Sequence, residues 1–302
     1  MILSASRRTD IPALYSDWFF EQLKAGYFLV PSPFIKNDKI AKIDVAPVKI
    51  EKNIMGGVEI TGNIDGIMFW TKNPRPMLKR LDELKDYKYC FLFTLNPYDV
   101  MIEKDLPSLD ERIKSFHELS NMIGEDRVMW RYDPILFAND IDIKWHIEQF
   151  KNLASQLEGC TKCCKTSFLI GKHPKIFTPS FSEQVLLVKT LASIAKEHGI
   201  TIETCADPKG FEDLGIKKSS CIDPLWWDQH LNAKRKSKKL DGQRKECLCM
   251  QSVDIGIYNT CTHNCIYCYA NGFCGFRGEP KTMLQDLNGE IYERKIERLF
   301  NY

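Results

Sequence analysis

The sequence predicts an α/β protein built as a complete or partial (β/α) barrel of the TIM-like kind. Two observations lead there. Apolar runs of strand length alternate with helical periods and short polar loops from residue 66 to residue 205, the pattern of a parallel sheet with helical crossovers. The strands also end alike: Ser6-Arg7-Arg8, Thr71-Lys72-Asn73-Pro74, Thr94-Leu95-Asn96-Pro97, Trp130-Arg131-Tyr132-Asp133-Pro134 and Cys205-Ala206-Asp207-Pro208. Proline after a strand is an ordinary stop. The polar residues before it would gather on one rim, where barrels and open α/β sheets bind ligands. A doubly wound sheet shares this alternation, so periodicity leaves closed and open forms both standing.

Taken in order, Ile2 to Ser6 reads as a short buried strand, and Arg7 to Pro12 as the polar loop that closes it. Leu14, Trp18, Phe19 and Leu23 carry a helical period over 13–25, which Gly26 stops. Residues 27–65 are less regular and read as an insertion. Within it, Phe28 to Val30 and Val45 to Ile50 form a hairpin around Pro31-Ser32-Pro33, and Gly56-Gly57 marks a turn. Strands then follow at 66–71, 89–95, 127–132, 165–170 and 200–205, with helices at 75–85, 109–123, 142–157 and 182–198 between them. Val253 to Tyr258 is the last strand, and 288–300 a terminal helix. The whole chain, 1–302, reads as one domain with a cysteine-rich, metal-binding part at 205–274.

Composition excludes more than it assigns. With 42 basic and 40 acidic residues, the net charge of +2 argues for neither nucleic acid nor a membrane surface. The N-terminus has no long apolar segment and nothing later is long enough to span a bilayer, so a cytoplasmic protein is expected. In that compartment the twelve cysteines should be thiols or metal ligands and not disulfides. One basic run, Lys234 to Lys239 behind Trp226-Trp227, is either a solvated helix face or a local patch for an anionic partner.

The densest chemistry lies at Cys261-Thr262-His263-Asn264-Cys265-Ile266-Tyr267-Cys268-Tyr269-Ala270. Three thiolates in a C-x3-C-x2-C spacing can grip one polynuclear iron–sulfur cluster and leave its fourth metal position open. A zinc knuckle completed by another Cys or His is the competing use.

This loop, with aromatic Tyr267 before the third cysteine, resembles the signature of the radical S-adenosylmethionine superfamily. The wider run Ile257 to Ala270 is similar to the spore photoproduct lyase-like branch. The chain as a whole resembles an uncharacterised bacterial family known only as a domain of unknown function, through Ser6 to Pro12, Phe69 to Pro74, Trp130 to Pro134 and the C-terminal cysteines. The resemblance implies a [4Fe-4S] cluster on Cys261, Cys265 and Cys268, whose fourth iron takes the amino and carboxylate groups of S-adenosylmethionine. Reductive cleavage there releases methionine and a deoxyadenosyl radical that abstracts hydrogen from a substrate. In most of that superfamily the motif follows the first strand, whereas here it follows the last. A circularly permuted barrel would restore the geometry, with the first strand, carrying Ser4 and Ser6, beside the cluster strand.

Lys72 and Arg131 end strands on the proposed rim and could hold the cofactor carboxylate; an ordinary salt bridge is the plain alternative for each. Thr71-Lys72 also resembles a strand end of the photoproduct-lyase-like branch. Ser4, Ser6 and Tyr267 complete the candidate cofactor contacts. Arg7, Arg8 and Asp10 are candidates for the substrate end, Asp133 for orienting Arg131 or binding ribose, and His263 for the cluster's surroundings or the substrate, not as a ligand. Cys205, Cys221, Cys247 and Cys249 form a second set, sufficient for another [4Fe-4S] cluster or a Zn²⁺ ion. Cys90, Cys160, Cys163, Cys164 and Cys274 read as buried or incidental thiols. The expected function is therefore a radical enzyme acting on a nucleic acid, peptide or small molecule, reduced by a donor such as flavodoxin or ferredoxin. The alternative is a non-catalytic iron–sulfur or zinc protein, an electron carrier or binding module.

Overall fold

The computed structural model describes residues 1–31, 40–52, 58–169, 176–206, 210–231 and 246–271. Its strands are β1 (Ile2–Ala5), β2 (Tyr27–Pro31), β3 (Ile40–Asp44), β4 (Lys49–Lys52), β5 (Val58–Thr61), β6 (Gly66–Thr71) and β7 (Tyr89–Thr94). The series continues with β8 (Val128–Ile135), β9 (Cys163–Phe168), β10 (Thr201–Cys205), β11 (Lys217–Ser219) and β12 (Ser252–Asp254). The helices are α1 (Ile11–Leu14), α2 (Ser16–Ala25), α3 (Arg75–Leu78), α4 (Leu109–Ile123), α5 (Ile143–Gln156), α6 (Phe181–Glu197) and α7 (Pro224–Leu231).

Eight strands make one sheet in the order β11-β10-β9-β8-β7-β6-β1-β12, every neighbouring pair parallel. The α/β expectation holds. Among the described residues no hydrogen bonds join β11 to β12, so the ring closure of a complete barrel is not present there. The last strand does lie against the first, with Ser4 opposite both Asp254 and Met68.

Both faces of the sheet are covered, which is why β6 and β7 are buried at every position and read as continuous apolar runs. One face carries Ile67, Phe69, Phe91, Phe93 and Trp130 under the helices. Phe19 of α2 packs edge-on to Phe69 at 5.3 Å, Phe116 of α4 stacks on Phe93 at 5.0 Å, and Phe150 of α5 on Trp130 at 4.7 Å. Burying each ring contributes about 1.5–3 kcal/mol, so this layer fixes how the helices sit. The alternate residues, Ile2, Met68, Trp70, Leu92 and Met129, face a second core filled by Ile222, Trp227, Cys249 and Met250. The chain between β10 and β12 thus supplies the filling of the second face. Trp227 packs on β6 where a side chain would collide: a Cβ on Gly66 would stand 2.2 Å from its ring.

Local signals explain most boundaries. Ser108 and Ser180 head α4 and α6 with reciprocal capping boxes to Glu111 and Glu183. Gly26 closes α2 at φ +83°, a conformation that favours glycine. Several expectations need correction. The helical period over 13–25 breaks at Tyr15 into α1 and α2, because Asp10 caps a separate first turn by accepting from the Ala13 amide. The expected helix at 75–85 is only α3 followed by a 3₁₀ turn, Leu81–Leu84. In the insertion, β2 pairs antiparallel with β3, and β4 with β5, so 28–30 does not pair with 45–50. The strand expected at 253–258 ends at Asp254, whose side chain turns back to cap the loop by accepting from the Gly256 amide. Residues 234–239, Gly56-Gly57, Asp207-Pro208, Cys274 and the expected helix at 288–300 lie outside the described residues. No described helix is long and apolar enough to cross a membrane.

Candidate metal and cofactor site

The polar strand ends gather at the C-terminal edge of the sheet, and the three-cysteine loop that follows β12 is pinned across them. Asp10, just after β1, is the first pin. Its Oδ1 accepts from the Ala13 amide at 3.0 Å and Thr71 Oγ1 at 2.8 Å. Its Oδ2 accepts from the Lys72 amide at 2.7 Å and from His263 Nε2 at 2.9 Å. One buried carboxylate thereby joins β1, β6 and the cysteine loop. His263 spends Nε2 on this contact.

The second pin is Glu103, in the loop between β7 and α4. Its side chain is fully buried and pairs with Lys72 Nζ at 2.6 Å and Arg112 at 2.9 Å. It also accepts from Asn96 at 3.1 Å and from the hydroxyl of Tyr267. Burial works against its charge, but Lys72, Arg112 and the hydrogen bonds from Lys72 and Tyr267 outweigh that and hold the carboxyl below its ordinary range. Backbone contacts reinforce the seat. Glu103 bridges Cys265, the Ile266 amide donates to the Ile102 carbonyl at 3.0 Å, and the Asp105 amide to His263 at 3.1 Å.

Held this way, Cys261, Cys265 and Cys268 remain partly accessible. Burial, followed by the nearby Asp10, pushes the Cys261 thiol up to about 12. Burial likewise pushes Cys265 up to about 11, with Lys72 pulling the other way. The sulfurs sense one another electrostatically. Such thiols keep their protons at neutral pH until a metal replaces them.

Asp254, at the end of β12, organises the first strand. It accepts from Ser4 Oγ at 2.7 Å, from Ser6 Oγ, and from the Arg7 amide at 2.8 Å. The hydroxyls of Ser4 and Ser6 are therefore engaged in joining β1 to β12. Arg131 pairs with Asp133, which also accepts from Ser167, so Asp133 orients the guanidinium. Arg7 lies over the Trp70 ring at 4.7 Å and reaches Ser252 at 3.2 Å. Tyr269 donates to the Arg7 carbonyl at 2.8 Å and senses Arg131, Cys268 and Arg7. Although 51 % of its surface is accessible, burial on the remaining sides pushes its phenol up to about 12.

The second cysteine set also converges. Cys205 Sγ stands 3.5 Å from Cys221 Sγ, Cys221 contacts Cys249, and Cys249 contacts Cys247. Hydrogen bonds from Cys205 and Cys249 pull the Cys221 thiol well down, while the same bonds push Cys205 and Cys249 up. Arg131 and Arg7 lie within electrostatic reach of this chain of sulfurs. As placed, no group of three or more His, Cys, Asp or Glu side chains among the described residues encloses a metal-ion position.

The remaining thiols fall where the sequence put them: Cys90, Cys160 and Cys164 are buried, and Cys163 lies half-buried beside Lys165. A cleft of about 290 Å³ opens near Glu125, Asp126 and Lys162, residues that precede β8 and β9. It lies at the N-terminal ends of those strands, and its lysines are matched: Lys165 with Glu203 at 2.6 Å, Lys162 with Asp126 at 2.7 Å. Chemistry is better sought at the opposite edge, where the cysteines and arginines meet.

Three partners were not singled out from sequence. Glu103 and Arg112 sit in a loop and a helix without a motif, and Asp254 reads as a strand residue. Asn96 was visible only as part of a strand-end signature.

A parallel α/β sheet with a polar site along the C-terminal ends of its strands defines the class of this protein. The chain belongs to the family described as a domain of unknown function (DUF1848), which matches residues 2–270. No curated protein matches it.

Proposed function

We propose that this protein is a radical S-adenosylmethionine enzyme whose [4Fe-4S] cluster is held by Cys261, Cys265 and Cys268 at the rim of a partial, circularly permuted (β/α) barrel. One observation carries the reading. The three-cysteine loop is anchored on the C-terminal edge of a parallel sheet by Asp10–His263 and by Glu103–Lys72–Tyr267, with its thiols left accessible. The donor set suits the group: three thiolates on one loop hold three irons, and the fourth stays open for a small cofactor.

Bound there, the cluster would supply the electron that cleaves the sulfonium of S-adenosylmethionine. The chain's own residues bind and orient. Lys72 has three N–H donors, two of them engaged by Glu103 and Tyr267, which leaves one for a carboxylate. Arg131 has five donors, Asp133 pairs with one of its nitrogens and the side chain is partly exposed, so it is the better candidate for a bidentate carboxylate contact. Tyr267 acts through its hydroxyl as a brace of the loop. Ser4 and Ser6 support the site through Asp254 and are not offered as direct contacts. The substrate class stays as broad as the sequence left it: nucleic acid, peptide or small molecule.

The test is anaerobic reconstitution with iron and sulfide, then addition of S-adenosylmethionine and a strong reductant. Deoxyadenosine and methionine are expected from the wild type and not from Cys265→Ala. A reconstituted protein that binds no iron on this loop, or that binds it without cleaving the cofactor, refutes the proposal.

A further inference from the structure

The second set of cysteines spans a gap that the sheet leaves open. Cys205 ends β10 and Cys221 follows β11, at one edge of the sheet; Cys247 and Cys249 precede β12, at the other edge. No ladder joins β11 to β12 among the described residues, yet the flanking chain meets across the gap. The Met250 amide donates to the Ile222 carbonyl at 3.2 Å, and Lys218 pairs with Glu246 at 3.0 Å. The sulfurs lie in the same crossing, where Cys221, Ile222, Cys249 and Met250 share one buried cluster with Trp227.

The geometry points to a mononuclear Zn²⁺ site formed by Cys205, Cys221, Cys247 and Cys249, a metal staple that ties the two edges of the sheet together. Three features carry it. Four thiols from three separate segments stand in a row, Cys205–Cys221–Cys249–Cys247, without forming a disulfide, and a bound ion would draw them into a shell. The Cys205–Cys221 separation of 3.5 Å is close to the edge of a thiolate tetrahedron, ~3.8 Å for Zn–S bonds of ~2.3 Å. The cysteines of the 261–268 loop show no such sulfur–sulfur contact among the described residues, so the two sets are built for different occupants. The third feature is charge. Four thiols release four protons as one Zn²⁺ binds, giving a complex of charge −2. Two guanidinium groups, Arg7 beside Cys249 and Cys221 and Arg131 beside Cys221 and Cys205, stand ready to balance it. A closed four-sulfur shell leaves no open position, so the ion is structural. The inference does not depend on the reading of the 261–268 loop.

The experiment uses the full chain with Cys261, Cys265 and Cys268 all replaced by alanine, which separates the two sites. Metal analysis is expected to find stoichiometric zinc with no acid-labile sulfide, and X-ray absorption a four-sulfur shell at ~2.3 Å. Adding Cys221→Ser should lower zinc affinity by more than the about 10- to 100-fold that losing an outer-shell partner costs. Zinc-free triple variant overturns the proposal. So does iron with sulfide at these cysteines, which would make the occupant a cluster. If Cys221→Ser fails to fold, cobalt substitution of the triple variant decides. The visible ligand-field bands of a tetrahedral cobalt tetrathiolate support the site, and their absence refutes it. Cofactor cleavage by the wild type is read separately, so failure of one proposal does not imply failure of the other.

Discussion

Replacing Glu103 with glutamine isolates what holds the cysteine loop in place. The carboxylate is fully buried between Lys72, whose side chain is 15 % exposed, and Arg112, which is 3 % exposed. Glutamine keeps the shape and one acceptor but leaves two cations facing each other. Breaking a buried ion pair by removing one partner costs about 3–5 kcal/mol. Lys72 can relieve part of this by turning toward water, so the lower end, about 3 kcal/mol, is expected. That raises the unfolded fraction by roughly two orders of magnitude. Urea unfolding followed by circular dichroism measures the global term. Alkylation of Cys265 under native conditions, read by mass spectrometry of the 261–268 peptide, measures local release and should accelerate. Because the ions act as a unit, Lys72→Met in the Glu103→Gln background should cost clearly less than it does alone. A loss below about 0.5 kcal/mol, the scale of an ordinary surface substitution, with unchanged alkylation of Cys265, would refute the role assigned to Glu103.

Other expectations follow from the same contacts. His146 is buried, its Nδ1 accepting from the Tyr132 hydroxyl and its Nε2–H donating to the Leu136 carbonyl, each at 2.8 Å; burial holds its pKa down to about 4. The unfolded chain takes up that proton near pH 6.5, so stability is full above that pH and falls as pH drops toward 4, by on the order of 3 kcal/mol. His146→Gln should flatten this window in denaturant titrations run at several pH values. Gly66→Ala places a methyl 2.2 Å from the Trp227 ring and should cost about 1–3 kcal/mol, partly recovered by Trp227→Leu in a double-mutant cycle. Asp254→Ala leaves the Ser4, Ser6 and Arg7 donors without their acceptor. It should cost at least about 3 kcal/mol by urea unfolding.

What the sequence made legible was whatever recurs locally. Apolar strands of the expected length gave seven of the eight sheet strands near their places, β12 with its end set too late, because each signal lies within a dozen residues. The rim was readable for the same reason, since Lys72, Asn96 and Arg131 each close a strand. β11 escaped because Lys217-Lys218-Ser219 has no apolar run, and its place is set by pairing to β10 and by ion pairs of Lys217 with Glu203 and Asp223. The partner of β2 was misassigned because nearby candidate segments have similar β character, and register there depends on the connecting turn. Glu103 carried no signal at all. A carboxylate in a loop reads as solvated until folding brings Lys72 from 31 residues away and Tyr267 from 164.

Long-range pins of this kind bear on how a motif late in the sequence is held at the sheet edge. Among the described residues no strand follows the cysteine loop, and the contacts that position it come from elements far earlier in sequence. Asp10 reaches it across 253 residues, Glu103 across 164, and Ser4 and Ser6 fasten the strand before it through Asp254. In a chain where the motif followed the first strand, the next βα unit would brace it by chain connectivity. Here connectivity is replaced by two buried carboxylates and a strand ladder. Loss of either carboxylate should therefore release the loop while leaving the β6–β9 part of the sheet folded. That separates it from a core defect: amide exchange should rise over 255–271 in Asp10→Asn and stay slow across β7 and β8.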